Sequence, residues 1–307
     1  MNKDLLQLFP VEQRPIWESI LPQVPNPQEI RLRAQKPISI LSGGKERFFD
    51  IRGNETDKPR EAYRICGREL MQVLNHICHY SLYAFEDELK QGFITVAGGH
   101  RVGVTGQVVM ENEKVRTIKN ISCMNIRIAH EIRGAADHVL EGVYQDGRLL
   151  NTLIISPPGC GKTTLLRDLV RQISDGNRYG VGCCVGIVDE RSEIAGCFQG
   201  IPQNDVGMRT DVLDGCPKAL GMMMLLRSMS PQVIAVDEIG SIQDMEALHM
   251  VSCCGCKILA TVHGDGIWDV QRKEGMERLF RENMFERFLV LGRRQGKFTV
   301  KMEEYSE

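Results

Sequence analysis

Three observations predict an α/β fold over the second half of the chain, preceded by an α+β half built on an antiparallel sheet. From Thr152 onward, short apolar runs alternate with stretches of helical periodicity. That alternation is the pattern of a mostly parallel sheet with crossover helices. One of those runs leads directly into a glycine loop and a helix, TLIISPPGCGKTTLLRDL from Thr152 to Leu169. Between Gly92 and Ala129, by contrast, alternating runs are separated only by turn signals such as Gly98-Gly99 and Glu111-Asn112-Glu113, as in antiparallel hairpins.

The 307 residues suggest about two domains, placed at 1–133 and 134–307. A net charge of −2 gives no bulk attraction for nucleic acid. No apolar run reaches the roughly eighteen residues that a membrane span needs. The start, MNKDLLQLFPVEQRP, is charged and broken by Pro10 and Pro15, so it does not read as a signal peptide. The expectation is a soluble cytoplasmic protein, with peripheral attachment to a membrane complex compatible.

In order, LLQLF and IWESIL read as short helices, and Pro22, Pro25 and Pro27 as an extended linker. Residues 29–34 (EIRLRA) alternate, with Ile30, Leu32 and Ala34 on one face and Arg31 and Arg33 on the other, as in a half-buried strand. Strands over 37–41 and 47–51 follow, then helices over 67–80 and 82–90. The runs FITVAGG, HRVGVTGQVVM, VRTIKNI and CMNIRIA form the rest of the antiparallel sheet. Glu131 to Ala136, with Gly134, reads as a boundary or hinge. Strands over 184–188, 233–236 and 257–262 then alternate with helices over 217–229, 242–251 and 267–281. Residues 285–301 read as a closing hairpin, and the segment before residue 217 as irregular and glycine-rich.

The loop from Ser156 to Thr164 carries the strongest chemical signal. It follows G-x-x-x-x-G-K-[ST], the phosphate-loop pattern, except that Ser156 replaces the first glycine. A tight loop between a buried strand and a helix N-terminus converges backbone N–H groups on an anion. Pro157 and Pro158 lack that donor, so Gly159, Cys160, Gly161, Lys162 and Thr163 must supply the cradle, with Thr164 in the same helical turn. Lys162 can reach the β- and γ-phosphates of ATP, and Thr163 can hold Mg2+. The second domain is therefore predicted to be a P-loop NTPase domain of RecA/AAA+-like type.

Ligands on such sheets bind at the carboxyl ends of the strands. There Asp237 and Glu238 end an apolar strand: the first suits Mg2+, the second a general base. Thr261 and His263 end another, where a polar group can sense the γ-phosphate. Asp189, Glu190 and Glu193 follow a third, with Glu190 and Glu193 the candidates to position the water or Mg2+ for hydrolysis. An arginine acting from a neighbouring subunit is also expected, with Arg31, Arg33, Arg101, Arg127, Arg209 and Arg227 eligible.

Eleven cysteines is an odd number. Cys253, Cys254 and Cys256 lack the second ligand pair of a structural zinc site, and His76, Cys78 and His79 lie far away in sequence. Cys183, Cys184, Cys253 and Cys254 read as buried small hydrophobes, and Met222 to Met224 as helix core. Cys160, at a helix N-terminus, is the one candidate for redox sensitivity.

The set PPGCGKTTLLRDL, VDERSEIAG, VGMRTDVLDGCPKALGMMMLLRSMSPQVIAVDEIG and ATVHG, with EIRLRAQKPISI, FITVAGGHRVGVTG and ISCMNIRIAHEI before it, spans nearly the whole chain. It resembles the stage III sporulation protein AA family of endospore-forming bacteria, itself similar to the type II and type IV secretion ATPases. The resemblance implies a mother-cell ATPase that assembles as a hexameric ring and serves membrane proteins of the channel joining mother cell and forespore. It makes Lys162 and Thr163 the Walker A contacts and Asp237 and Glu238 the Walker B pair. Glu190 and Glu193 fall where secretion ATPases carry an acidic box, and His263 in the likeness of their His box. VDERSEIAG departs from the usual acidic box, and the four-cysteine zinc module of many secretion ATPases is missing from the sequence. Two other readings compete: a nucleic-acid-binding ATPase, motivated by Arg31, Arg33, Arg101, Arg116, Lys119 and Arg127, and a scaffold that binds ATP with little turnover.

Overall fold

A computed structural model describes residues 5–81, 85–90, 92–111, 113–294 and 297–303. The chain forms two compact units, Met1–His130 and Glu131–Glu307. The division falls three residues before the one the sequence suggests. Glu131 accepts a hydrogen bond from the Asp205 amide (3.2 Å), and Arg133 pairs with the Asp205 carboxylate (2.8 Å). Both therefore belong with the second unit.

The first unit opens with a short helix, α1 (Arg14–Ile20), whose buried Trp17 stacks on Phe9 with ring centroids 4.0 Å apart. Four strands follow: β1 (Pro27–Arg33), β2 (Ser39–Ser42), β3 (Lys45–Phe49) and β4 (Glu55–Thr56). Helices α2 (Gly67–Ile77) and α3 (Glu86–Lys90) precede β5 (Phe93–Val96), β6 (His100–Glu111) and β7 (Lys114–Arg127). The sheet order is β4-β3-β2-β1-β7-β6-β5, and every pairing is antiparallel. The two runs VRTIKNI and CMNIRIA are one fourteen-residue strand, because pairing with β6 continues across them past a bulge at Gly106. A β-carbon at Gly106 would lie 2.6 Å from the Lys119 carbonyl oxygen, so that close approach requires glycine.

Alternation puts Ile30, Leu32, Ile94, Val102, Val104, Met124 and Ile126 in the core. The other face carries Arg31, Arg33, Arg101 and Arg127. Helix α2 buries Leu70, Val73, Leu74 and Ile77, and Glu69 caps it by accepting from the Cys66 amide at 2.7 Å. The predicted helix over 82–90 is described only at Glu86–Lys90; residues 82–84 lie outside the described residues.

The second unit begins with a small hairpin, β8 (Tyr144–Gln145) and β9 (Arg148–Leu149). It then alternates β10 (Thr152–Ser156), α4 (Lys162–Asp175), β11 (Val185–Asp189), β12 (Thr210–Asp214), α5 (Lys218–Ser228), β13 (Val233–Val236), α6 (Ile242–Cys253) and β14 (Lys257–His263). Two short helices, α7 (Ile267–Gln271) and α8 (Met276–Arg281), precede the closing hairpin β15 (Arg287–Arg294) and β16 (Lys297–Glu303). The order is β12-β11-β13-β14-β10-β15-β16, parallel except for the last pair.

Helices cover both faces of this sheet, as a parallel sheet requires. Leu165, Leu166, Leu169 and Val170 of α4 pack on Ile154, Ile187, Ala235 and Leu259. Side chains of α5 to α8 pack on Leu153, Ile155, Val236 and Ala260. Four readings need correction, one of them Met224, which is exposed on α5 rather than in the helix core. The irregular segment before residue 217 contains a strand, β12, whose polar and half-buried residues lack the apolar run of its neighbours. The helix expected over 267–281 is two helices, because Gly275 takes a left-handed conformation (φ +81°) between them. Cys184, Cys253 and Cys254 are exposed rather than buried, since each lies just outside an apolar strand or at a helix end.

Candidate functional site

Strand β10 ends at Ser156, which is fully buried, with its hydroxyl donating to the Pro157 carbonyl (2.9 Å) and its own carbonyl accepting from Gly264 (3.1 Å). The position that departs from the glycine pattern thus anchors the strand. Gly159 and Gly161 have φ of +72° and +83°, and a β-carbon at either would meet nothing within 4 Å. The glycines serve backbone conformation, and the space above them is open. Helix α4 starts at Lys162, so the first-turn amides of Lys162, Thr163 and Thr164 and the dipole of a fourteen-residue helix point into that space.

The strand edge brings the predicted acids to this loop. Lys162, 6% exposed, places Nζ 2.9 Å from Glu238 Oε1 and 3.4 Å from Asp237 Oδ1. The Thr163 hydroxyl donates to Asp237 Oδ2 at 2.5 Å. The Thr261 hydroxyl donates to Asp237 and accepts from the Glu238 amide at 2.9 Å. His263 Nε2 lies 2.9 Å from Glu238 Oε1, and its Nδ1 is buried with no hydrogen-bond partner among the described residues. Lys162, Thr163, Asp237, Glu238, Thr261 and His263, from three separate stretches of chain, thus form one network. Burial pushes the Glu238 carboxyl up. The hydrogen bond and charge of Lys162, then the charges of His263 and Arg191, outweigh that and hold it below the usual value. Glu238 itself has φ +53°, a left-handed conformation that costs a residue with a side chain about 1 kcal/mol or more. Local strain of this kind concentrates at working sites.

The loop after β11 divides its acids among different tasks. Asp189 is 2% exposed and accepts from three amides, those of Glu193 (2.8 Å), Ile194 (3.0 Å) and Ala195 (2.8 Å). It is a brace for the loop, not a group facing a ligand. Arg167 of α4 donates to the Glu193 and Ile194 carbonyls from the other side. Glu190 pairs with Lys218 rather than with Lys162, while Glu190 and Glu193 still line the cleft that holds Asp237 and Glu238. The sequence reading passed over Arg191, which donates to Glu238 Oε2 at 2.9 Å. Its signal was its place in an acidic segment at a strand end. Asp189→Ala is expected to leave three amides without their acceptor and to lower stability by about 1–3 kcal/mol, measured as a shift of the urea midpoint at unchanged slope.

The eligible arginines also sort themselves. Arg209 is used by α4: its NH1 donates to the Ser174 (2.9 Å) and Asp175 (3.4 Å) carbonyls at the helix end. Arg227 is exposed on α5. In the first unit, Arg31, Arg33, Arg101 and Arg127 line a hollow of about 550 Å3 with Phe93 and Asn125. Register explains it: Arg101 lies opposite Arg127, and Arg31 opposite Asn125, on one sheet face. Glu29 pairs with Arg31 (2.7 Å) and with Arg127 (3.7 Å), and Arg101 stacks over Phe93 at 3.5 Å.

The family profile described as sporulation stage III, protein AA matches residues 1–304. The chain belongs to that family. It is 43% identical over 273 residues to stage III sporulation protein AA of Bacillus subtilis (strain 168), covering 89% of this chain and 85% of that protein. Among solved structures, the Legionella pneumophila ATPase DotB matches with a TM-score of 0.57 at 17% identity, over 91% of this chain and 76% of that one. The pilus retraction motor PilT with bound ADP matches with a TM-score of 0.58 at 15% identity, over 92% and 80%. At such identity the likeness is one of fold: this member of the sporulation stage III AA family has the fold of secretion and pilus ATPases. Among the described residues, no helix is long and apolar enough to cross a membrane.

Proposed function

We propose that the protein is a Mg2+-dependent ATPase motor with a P-loop domain of RecA/AAA+-like type. The observation that carries this reading is the network joining Lys162 and Thr163 of the loop to Asp237 and Glu238 at the end of β13. Two separate stretches of sequence, the loop and the strand-end acids, converge on one small volume with open space over Gly159 and Gly161. The Thr163 hydroxyl and the Asp237 carboxylate are hard oxygen donors in contact with each other, the donor type that suits Mg2+. Bound there, Mg2+ would offset phosphate charge. Lys162 then leaves the carboxylates for the phosphates, the amides of residues 159–163 hold them, and Glu238 takes the proton of the attacking water. His263 and Thr261 keep Glu238 and Asp237 in place.

The motor works as a homo-oligomer, a hexameric ring in the cytoplasm of the mother cell, on membrane proteins of the mother cell–forespore channel. Membership of the sporulation family and the fold shared with DotB and PilT support this assignment. The arginine face of the first unit suits a cation delivered in trans to a neighbouring copy's phosphates. The same hollow motivates the second reading, a nucleic-acid-dependent ATPase. Its Phe93 face is already covered by Arg101, so it offers no free stacking platform for a base. The test is the ATPase rate of the sized oligomer with and without single-stranded DNA or RNA. The motor reading expects Mg2+-dependent turnover that nucleic acid leaves unchanged. Stimulation that falls steeply with salt selects the second reading, and binding without turnover leaves a scaffold.

A further inference from the structure

Glu238 is a weakened base in the arrangement described, because both of its oxygens are engaged. Oε1 faces Lys162 Nζ and His263 Nε2, each at 2.9 Å, and Oε2 accepts from Arg191 NH1 at 2.9 Å. Phosphates account for the departure of Lys162, and His263 keeps its place on the sheet edge. Arg191 is the member whose release needs its own cause.

Three features make Arg191 suited to move. Its side chain is 61% exposed, whereas Lys162 is 6% exposed, so the guanidinium can swing without disturbing packing. The chain just beyond it is held, because Asp189 accepts from the amides of Glu193, Ile194 and Ala195 and Arg167 donates to the Glu193 and Ile194 carbonyls. The guanidinium therefore swings beside a braced loop. Finally, it lines the cleft with Asp189, Glu190, Glu193, Lys218, Asp237 and Glu238. Glu190 is already paired with Lys218, and Asp189 is spent on amides. The competition for Arg191 is thus between Glu238 and whatever anion enters beside it.

We propose that Arg191 discriminates ATP from ADP: it clasps Glu238 in the resting site and transfers to the terminal phosphate of ATP, releasing Glu238 Oε2 toward the attacking water. The inference rests on the ATPase reading above. A guanidinium binds a phosphate through a planar fork of N–H donors and is drawn to the greater charge of a terminal phosphate over a carboxylate. ADP ends one phosphate short and leaves the clasp closed. The base is therefore freed only when there is a bond to hydrolyse. No covalent bond changes in this transfer; one ion pair replaces another.

The test uses the full-length protein with Mg2+ and measures the dissociation constants of ADP and of the non-hydrolysable β,γ-imido analogue of ATP. Wild type, Arg191→Gln, Arg191→Lys and Lys162→Ala are compared. Arg191→Gln is expected to weaken the ATP analogue about tenfold, the excess of the phosphate pair over the Glu238 pair it replaces, and to leave ADP within about twofold. Unchanged ADP binding also shows that the variant is folded. Arg191→Lys is expected to recover part of the preference, since it restores charge without the fork. Equal weakening of both nucleotides, or of neither, overturns the proposal. Wild-type protein that binds neither nucleotide, or a Lys162→Ala variant that binds both as well as wild type, overturns the ATPase reading instead.

Discussion

Lys162→Ala is expected to reduce ATP turnover by about a hundred- to thousandfold, the usual effect of removing a cation or donor that faces developing charge. In the resting site this ammonium is buried between Asp237 and Glu238. Its removal brings those carboxylates face to face with one cation fewer. Arg191 still pairs with Glu238 and His263 still lies against it, so the fold is expected to survive with a modest fall in melting temperature. Steady-state ATPase rates and a thermal melt on the same preparation separate the two effects. A variant that melts like wild type and turns over at the wild-type rate would remove Lys162 from the phosphate site and the motor reading with it.

Glu238→Gln should behave differently. The amide fills the same volume and, like glutamate, is unbranched at Cβ, so the left-handed backbone at φ +53° is no more strained than before. Its carbonyl oxygen can still accept from Arg191, but its NH2 group can only donate, which mismatches Lys162. More importantly, it cannot take a proton from water. Hydrolysis is expected to slow by about a hundredfold or more, the range for losing a positioned general base, while ATP stays bound. Single-turnover hydrolysis together with nucleotide retention after gel filtration reports both quantities. Normal turnover would show that the base lies elsewhere in the cleft, with Glu190 and Glu193 the remaining acids on its wall.

These two variants also separate what each residue contributes to the cleft. Lys162 and Thr163 follow each other in sequence, so their joint position is a local property of a loop feeding a helix. Asp237 stands seventy-four residues beyond Thr163 in the chain yet accepts directly from its hydroxyl, and Glu238 beside it pairs with Lys162. The parallel register carries that contact: Ser156 lies opposite His263, and Val236 opposite Ala260. Every strand of this set therefore ends at the same edge.

The sequence by itself determined the strand-loop-helix, the alternation of the second unit and the polar strand ends, because each is written in local periodicity or in a motif of eight residues. It also determined the arginine face of β1, since a period of two separates Ile30 and Leu32 from Arg31 and Arg33. Only the tertiary structure decided which acids share a job. Asp189 and Asp237 both end apolar strands, yet one is enclosed by three amides and the other faces Lys162 and Thr163. Arg209 and Arg191 were equally plain as arginines. One caps the α4 carbonyls and the other holds Glu238, a difference set by where strands β11 and β12 place their ends. The break at Gly275 and the strand β12 were hidden for the opposite reason. Local composition there favours no element strongly, and neighbouring packed chain makes the choice. Pairing and burial act between residues far apart in sequence, and so the roles of polar groups were fixed by partners that no local pattern reveals.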